Sequence, residues 1–433
     1  MALQALLVIL VVLLVLLFLG VPISYSIAIS ALTAILSSID LNVAVLTAAQ
    51  RTFVGMSKFS LTAIPFFILA GNIMNQGGIA KRLVDFVMAI LGKLPGALLV
   101  TNVGTNALFG AISGSASAAA AAVGSMIRDG ADEQGYDPAV TAATNAASAP
   151  SGLLIPPSNA LITYSLASGG TSVAALFMAG YIPGIIWALA CAIVGVLLAI
   201  KLGYKGTSGK FDWKNLGICT LRALPSLSLI VVVIGGIVGG IFSATEGSAI
   251  AVVYALILAF CYRSINLKSL WKIIVDSAKM SGMVVFLIGV SNILGWVMAF
   301  LQIPDAVAAL LLGLTSNKYI ILLIMNVILL VSGTFMDVTP AILIFTPLFL
   351  PICQSFGMST VQFGLILVYN LCIGNITPPV GNTLFVGIKI GRTSLSKVMP
   401  YMLLYYVAII LGLLLVTYIP AVSLALPQLA GLL

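Results

Sequence analysis

Gly152-Leu153-Leu154-Ile155-Pro156-Pro157-Ser158-Asn159 and Gly374-Asn375-Ile376-Thr377-Pro378-Pro379-Val380-Gly381-Asn382 are two copies of one pattern. In each, a glycine is followed one turn later by paired prolines and then by an asparagine. Both copies interrupt long apolar stretches. Proline inside a helix removes an amide donor and clashes with the carbonyl of the preceding turn. Each copy therefore reads as a helix broken in its middle, with carbonyl oxygens near Gly152 and Gly374 left unbonded.

Working outward, three further matches keep nearly the same offset. Gly20-Val21-Pro22-Ile23-Ser24 aligns with Gly240-Ile241-Phe242-Ser243-Ala244, and Ile68-Leu69-Ala70-Gly71-Asn72 with Ile288-Gly289-Val290-Ser291-Asn292. Ser113-Gly114-Ser115 aligns with Ser332-Gly333-Thr334. One match between apolar segments is weak, but four in the same order indicate an internal repeat.

Composition says where such a chain lives. Of 433 residues, 61% are hydrophobic, 19 are Lys or Arg, 11 are Asp or Glu, and none is histidine. Charged residues make up 7%, against roughly a quarter in soluble domains. Runs such as 5–19 and 227–241 approach the ~20 apolar residues that span a bilayer core. This is an all-α integral membrane protein. A soluble hydrolase, a nucleic-acid-binding protein and a peripheral amphipathic anchor are excluded. The apolar N-terminus, without a basic leader or small-residue cleavage site, reads as a first span.

The first repeat covers 1–222, with scaffold spans within 4–77 (near 4–20, 21–38 and 59–77). It continues with an arm at 79–94, a hairpin at about 97–127, a broken helix at about 138–168 and a span at 173–200. The second covers 223–433, with scaffold spans at 223–299, an arm at 302–314, a hairpin at about 318–352, a broken helix at about 360–391 and a span at 399–419. Lys81, Arg82 and Asp85 lie among apolar residues in the first arm, as in a helix resting in the interface. With flat arms and re-entrant hairpins each half crosses five times, so the second is inverted. Basic residues then segregate: only Arg51, Lys58 and Lys318 of the 19 fall outside the cytoplasm, as the positive-inside rule requires. Lys210 counts among the cytoplasmic ones, and both termini are periplasmic.

Inverted repeats with discontinuous helices mark secondary transporters, whose sites lie where backbone is unpaired near the midplane. The four breaks supply hydroxyls, carbonyls and half-helix ends, a donor set for a hard cation and a substrate carboxylate. Asp337, beside the second hairpin tip, either ligates a cation or holds the tip by hydrogen bonds. Glu246 reads as a helix-cap acid, and the cluster from Arg128 to Asp137 as a solvated loop. Without histidine there is no imaginable imidazole relay, which favours Na+ over H+. The five cysteines have no metal-ligand spacing, and no transition-metal site is expected. Gly92-Lys93 and Gly209-Lys210 lack the context of a phosphate-binding loop. No catalytic constellation is present, and the chain is not expected to be an enzyme.

Phe66-Phe67-Ile68-Leu69-Ala70-Gly71-Asn72-Ile73-Met74, Gly110-Ala111-Ile112-Ser113-Gly114-Ser115, Gly240-Ile241-Phe242-Ser243-Ala244-Thr245-Glu246-Gly247 and the two proline breaks together resemble the large membrane (M) subunit of tripartite ATP-independent periplasmic (TRAP) transporters. The family's usual turn reads closer to Phe-Thr-Pro-Thr-Glu-Ala, from which Ser243–Gly247 departs. The resemblance implies an elevator-type carrier in the bacterial inner membrane, driven by Na+ and with no other cofactor. It implies a small four-helix (Q) subunit and a periplasmic substrate-binding (P) protein as partners, besides the lipid bilayer. It places one sodium site on Ser113, Gly114, Ser115, Gly152 and Pro156. It places the other on Ser332, Gly333, Thr334, Gly374, Thr377 and Pro378, with Asp337 beside it. Substrate is expected near Ser117, Asn159, Thr339 and Asn382. The overall look is closest to the sialic-acid branch; a C4-dicarboxylate carrier, or a stand-alone sodium–dicarboxylate symporter, is the alternative.

Overall fold

A computed structural model describes residues 2–206, 212–315 and 317–433, so Gly209 and Lys210 lie outside the described residues. The described residues form helices and connecting turns, without strands. In the first half these are α1 (Ala2–Phe18), α2 (Ile23–Ile35), α3 (Leu41–Met56), a 3-10 turn (Phe59–Thr62), α4 (Ala63–Gln76) and α5 (Ile79–Leu91). They continue as α6 (Ala97–Ser113), α7 (Ala116–Glu133), α8 (Pro138–Ser148), α9 (Ser151–Leu154), α10 (Asn159–Ala167) and α11 (Val173–Leu202). The second half runs α12 (Trp213–Val238), α13 (Ala244–Cys261), α14 (Leu267–Phe300), α15 (Ile303–Leu314), α16 (Lys318–Gly333) and α17 (Val338–Ser355). It ends with α18 (Thr360–Gly374), α19 (Asn382–Ile390), α20 (Leu395–Tyr418) and α21 (Pro420–Leu429).

Six described helices are long and apolar enough to cross a membrane, and α3 with the 59–76 segment makes a seventh if that pair, bent by 60°, counts as one span. The helix at 41–56 has no counterpart among the spans read from sequence. Asn42, Thr47, Gln50, Arg51 and Thr52 dilute its apolar pattern enough to hide it. Its partner in chain order is the first part of α14, which runs unbroken for 34 residues.

Burial divides the elements by role. α8 is buried from Ala139 onward, α9 along its whole length, and α18 from Val361 onward. α11 instead exposes Ile185, Leu189, Ile193, Leu197 and Ile200 as one stripe. An exposed aliphatic stripe at helical spacing is the surface that lipid covers. The first hairpin and the broken helices are thus largely enclosed and α11 lies at the rim, where α16 of the second hairpin also exposes Ile320, Leu323, Val327 and Val331. Trp187, fully buried on α11, donates its indole N–H to Ala147 O at 2.8 Å and ties the rim to α8. Trp213 and Trp271 are exposed, as interfacial anchors are.

The halves interlock. α10 of the first packs on α17 of the second, and α19 of the second packs on α7 and α8 of the first. Tyr164 on α10 donates to Thr360 O at 2.6 Å across this seam. α4 packs against α13 and α14, and α3 against α14, forming a separate helical wall. Asn72 on α4 donates to the Ser277 hydroxyl at 2.8 Å within that wall.

Two local expectations are refined. Arg128 to Glu133 is the last part of α7, not a loop, and Arg128 pairs with Asp132 at 3.4 Å one turn on. Glu246 completes a capping box at the start of α13, accepting from Ser243 N at 2.7 Å while Ser243 Oγ accepts from Glu246 N at 3.2 Å. The cysteines are unpaired, and all but Cys261 are buried.

Candidate functional site

Each hairpin tip abuts the break of its own half. α6 meets α9 backbone to backbone: a Cβ on Gly110 would lie 2.7 Å from Gly152 Cα. In the second half a Cβ on Gly333 would lie 3.2 Å from Gly374 Cα. Polar contacts reinforce both junctions. Asn159 donates its side-chain amide to Gly114 O at 3.4 Å, and Val380 N donates to Thr334 O at 3.2 Å. Gly114 holds φ +62°, and a Cβ there would come 2.8 Å from Asn159 Nδ2, so only glycine fits this turn.

These contacts change the register of the hairpin match. The glycine that does in the first half what Gly333 does in the second is Gly110, about one helical turn before Gly114. Helix starts agree with this: Ser115 caps α7, and the residue capping α17 is Asp337, not Thr334. Short tracts of small residues align at several registers, and the one that matches by letter is not the one that matches by contact.

The breaks are also better satisfied than proline chemistry alone suggests. Gly374 O accepts from Thr377 N at 2.9 Å, Asn375 O from Thr383 N at 3.1 Å and Ile376 O from the Tyr406 hydroxyl at 2.6 Å. Thr377 Oγ1 donates to Ile373 O at 2.7 Å, and Ser158 Oγ donates to Leu153 O. Hydroxyls and tight turns thus replace the missing amides, and each carbonyl keeps a second lone pair. Among the buried side-chain atoms at the breaks, Asn375 Oδ1 and Thr383 Oγ1 have no partner.

Two adjoining cavities of about 120 and 260 Å3 open at the tips and share Ile68, Ser115, Ser117, Asn159 and Met280. The first hairpin contributes Ser113, Gly114, Ser115 and Ser117, and the first broken helix Leu153, Asn159 and Thr163. Asp337, Val338 and Thr339 come from the second hairpin and Asn375 from the second break. Gly71 and Asn72 of α4 and Met280 and Val284 of α14 close the space from the helical wall.

A family model described as the tripartite ATP-independent periplasmic transporter, DctM component, matches residues 10–422. The chain belongs to the DctM family. It is 50% identical to the uncharacterized protein YgiK of Salmonella typhimurium, covering 95% of this chain and 94% of that one. It is 38% identical to the isethionate TRAP transporter permease protein DctMQ of Oleidesulfovibrio alaskensis, covering 93% of this chain and 63% of that longer one. It is 35% identical to the C4-dicarboxylate TRAP transporter large permease protein DctM of Rhodobacter capsulatus, covering 95% and 96%. The sialic acid TRAP transporter large permease protein SiaM of Vibrio cholerae matches at 32%, covering 95% and 96%. The crystal structure of the Alcanivorax borkumensis YdaH transporter shares the fold, with a TM-score of 0.63 at 15% identity over 88% of each chain. As a DctM protein this is a multi-pass transporter permease of the bacterial inner membrane, working with a periplasmic binding protein and a small membrane subunit.

Of the residues expected at the site, this DctM chain brings Ser113, Gly114, Ser115, Ser117, Asn159, Asp337 and Thr339 to the paired cavities. Gly152, Gly333 and Gly374 form the tip-to-break contacts behind them. Pro156 is buried and Pro378 half-buried in the turns, both ahead of cis Pro-Pro bonds. Ser332, Thr334 and Thr377 do not line the cavities, and Thr334 Oγ1 is turned back to Val331 O at 2.7 Å. Asn382 is exposed at the head of α19, whereas its neighbour Thr383 is buried. Sequence reading missed Asn72, Thr163, Asn375 and Met280. Asn72 and Asn375 were inside quoted motifs, so an uncharged amide within a break or a span was the available signal.

Proposed function

We propose that this chain is the carrier of a sodium-driven importer of a small organic acid, handed over by the periplasmic binding protein. The observation that carries the reading is the meeting of both hairpin tips, both breaks and the helical wall at one polar cavity. Its lining offers neutral oxygen donors and one acid, Asp337, with no basic side chain. An anionic substrate beside Asp337 needs cations for compensation, and oxygen donors suit a hard ion. The unpartnered Asn375 Oδ1 supports a cation on the second-half side, with Asp337 in place of Ser332 and Thr334. Ser113 and Ser115 hydroxyls would serve the first-half side. Na+ supplies the driving force by binding with the substrate and dissociating with it inside.

The same reading makes the two halves inverted repeats with periplasmic termini. Hairpins and broken helices travel together past α4 and α14 as an elevator. The common order of helices, the reciprocal seating of α10 and α19, and the segregation of basic residues support this. Among substrates, short carboxylates or sulfonates are favoured. The isethionate and C4-dicarboxylate relatives are more similar to this chain than the sialic acid relative.

The test is uptake of labelled isethionate, succinate and sialic acid into proteoliposomes holding this chain and its small subunit. An inward sodium gradient and the binding protein are each supplied or withheld. Accumulation of a short acid only when both are present is the expected result. Uptake without the sodium gradient would overturn the coupling, uptake without the binding protein would indicate a stand-alone symporter, and uptake of sialic acid alone would reinstate the larger substrate.

A further inference from the structure

A second cavity of about 320 Å3 lies between α3, α10, α14 and α17. Its charge is opposite to that of the first: Arg51 and Lys58 line it, and no carboxylate does. Neither cation has an acidic partner among the described residues, where the ion pair is Arg128–Asp132. The Arg51 guanidinium sits 5.7 Å from the Trp296 ring centroid, which holds it at the wall without neutralising it.

The two cavities are neighbours along three shared helices. α10 gives Thr163 to the polar cavity and Leu166 to this one; α14 gives Val284 and Ile288; α17 gives Thr339 and Leu343. Each pair is separated by about one helical turn, roughly 5.4 Å of rise. In the proposed topology only three basic residues face the periplasm, a side where they are scarce. Two of those three converge on this cavity.

We propose that this cavity is a receiving site for the carboxylate or sulfonate of the incoming organic acid, which rests on Arg51 and Lys58 before moving to the polar cavity. The inference rests on the periplasmic placement of the α3–α4 turn proposed above. The chemistry fits. A guanidinium fork accepts a planar carboxylate through two parallel hydrogen bonds, and a lysine adds a point charge. A cleft lined by one sign of charge raises the local concentration of the opposite ion by about tenfold or more. The polar cavity, lacking a cation, has no such attraction of its own.

Ala299, exposed at the rim of this cavity, gives the readout when replaced by cysteine on a Cys261→Ser background. The complex with its small subunit is reconstituted in phosphatidylcholine vesicles. Its modification by sulfonatoethyl and by trimethylammonioethyl methanethiosulfonate is timed, each normalised to free cysteine. The sulfonate reagent should react about tenfold faster, and millimolar succinate or isethionate should slow it. Arg51→Gln with Lys58→Gln should remove both the preference and the protection, while Arg51→Lys alone should keep the preference and so report an intact fold. Equal rates in the unaltered cavity, or a preference that survives the double substitution, would overturn the proposal. Repeating the assay with phosphatidylglycerol separates the sources of anion: blocking by that lipid, with none by free acids, would assign the cations to a headgroup instead. Labelling requires neither a sodium gradient nor turnover, so its failure and failure of the import reading are distinguishable.

Discussion

Gly152 has no room for a methyl group, because its Cα faces the backbone of Gly110 across the first junction. Gly235 on α12 has open space around it. Gly152→Ala should therefore destabilise the protein by about 1–3 kcal/mol through overpacking, read as a lowered thermal midpoint of the purified complex, while Gly235→Ala leaves that midpoint in place. The importance of Gly152 and Gly374 was legible, since a glycine ahead of two prolines in an apolar run has few other uses. Their partners were not. Gly110 stands among other small residues, and only contact distinguishes it from Gly114. Asn382 likewise satisfied the sequence pattern, yet the neighbouring Thr383 is the residue turned inward. The pattern located the turn but not the rotation of the helix that leaves it.

At the level of elements, the hairpins are held to the broken helices by buried amides. Asn106 on α6 donates to the Ser148 hydroxyl at 2.8 Å and to Asn145 Oδ1 at 3.0 Å. On α16, Asn326 accepts from Asn370 Nδ2 at 2.9 Å and donates to Thr417 Oγ1 at 3.0 Å. Leaving a buried polar partner unmade costs about 1–3 kcal/mol. Asn326→Ala and Asn370→Ala should each lower stability by that order. Their combination should cost less than the sum of the two, because the second substitution removes a group already stranded by the first. Chemical denaturation of the four proteins in detergent checks this coupling. None of these amides stood out in the sequence, where asparagine in an apolar helix reads equally as a packing accident. α3 escaped for the opposite reason, being too polar for a span when taken alone. The helix bounds of α5, α6 and α7 were legible because charge and small residues punctuate that stretch.

For the molecule as a whole, the proposed topology fixes which turns face which compartment. Ser57, in the α3–α4 turn, and Ser264, in the α13–α14 turn, are both exposed. A cysteine at 57 should react with an impermeant maleimide added to intact cells, and a cysteine at 264 only after the membrane is opened. The reverse pattern, or labelling of both from one side, would discard the inversion. The membrane class and the order of elements were open to reading because composition and proline breaks carry them directly. The reciprocal seating of α10 and α19 was not, since it joins residues about 200 positions apart through apolar surfaces without a distinctive letter.

The contrast between α14 and the bent pair facing it has a mechanical side. At about 1.5 Å per residue, the 34 residues of α14 reach roughly 50 Å, more than the ~40–45 Å of a bilayer with its headgroups. Its charges, Lys268, Lys272, Asp276 and Lys279, are confined to its first half, and the remainder to Phe300 is uncharged. The overhang is therefore at the lysine end, where each cation near an anionic leaflet gains about 1 kcal/mol. α14 is a depth gauge, pinned at one face of the membrane and unable to shorten. The 60° elbow beside it is the compliant member. When acyl chains lengthen, a bent pair can straighten where an unbroken helix cannot, so this one helical wall holds a member that can follow membrane thickness beside one that cannot.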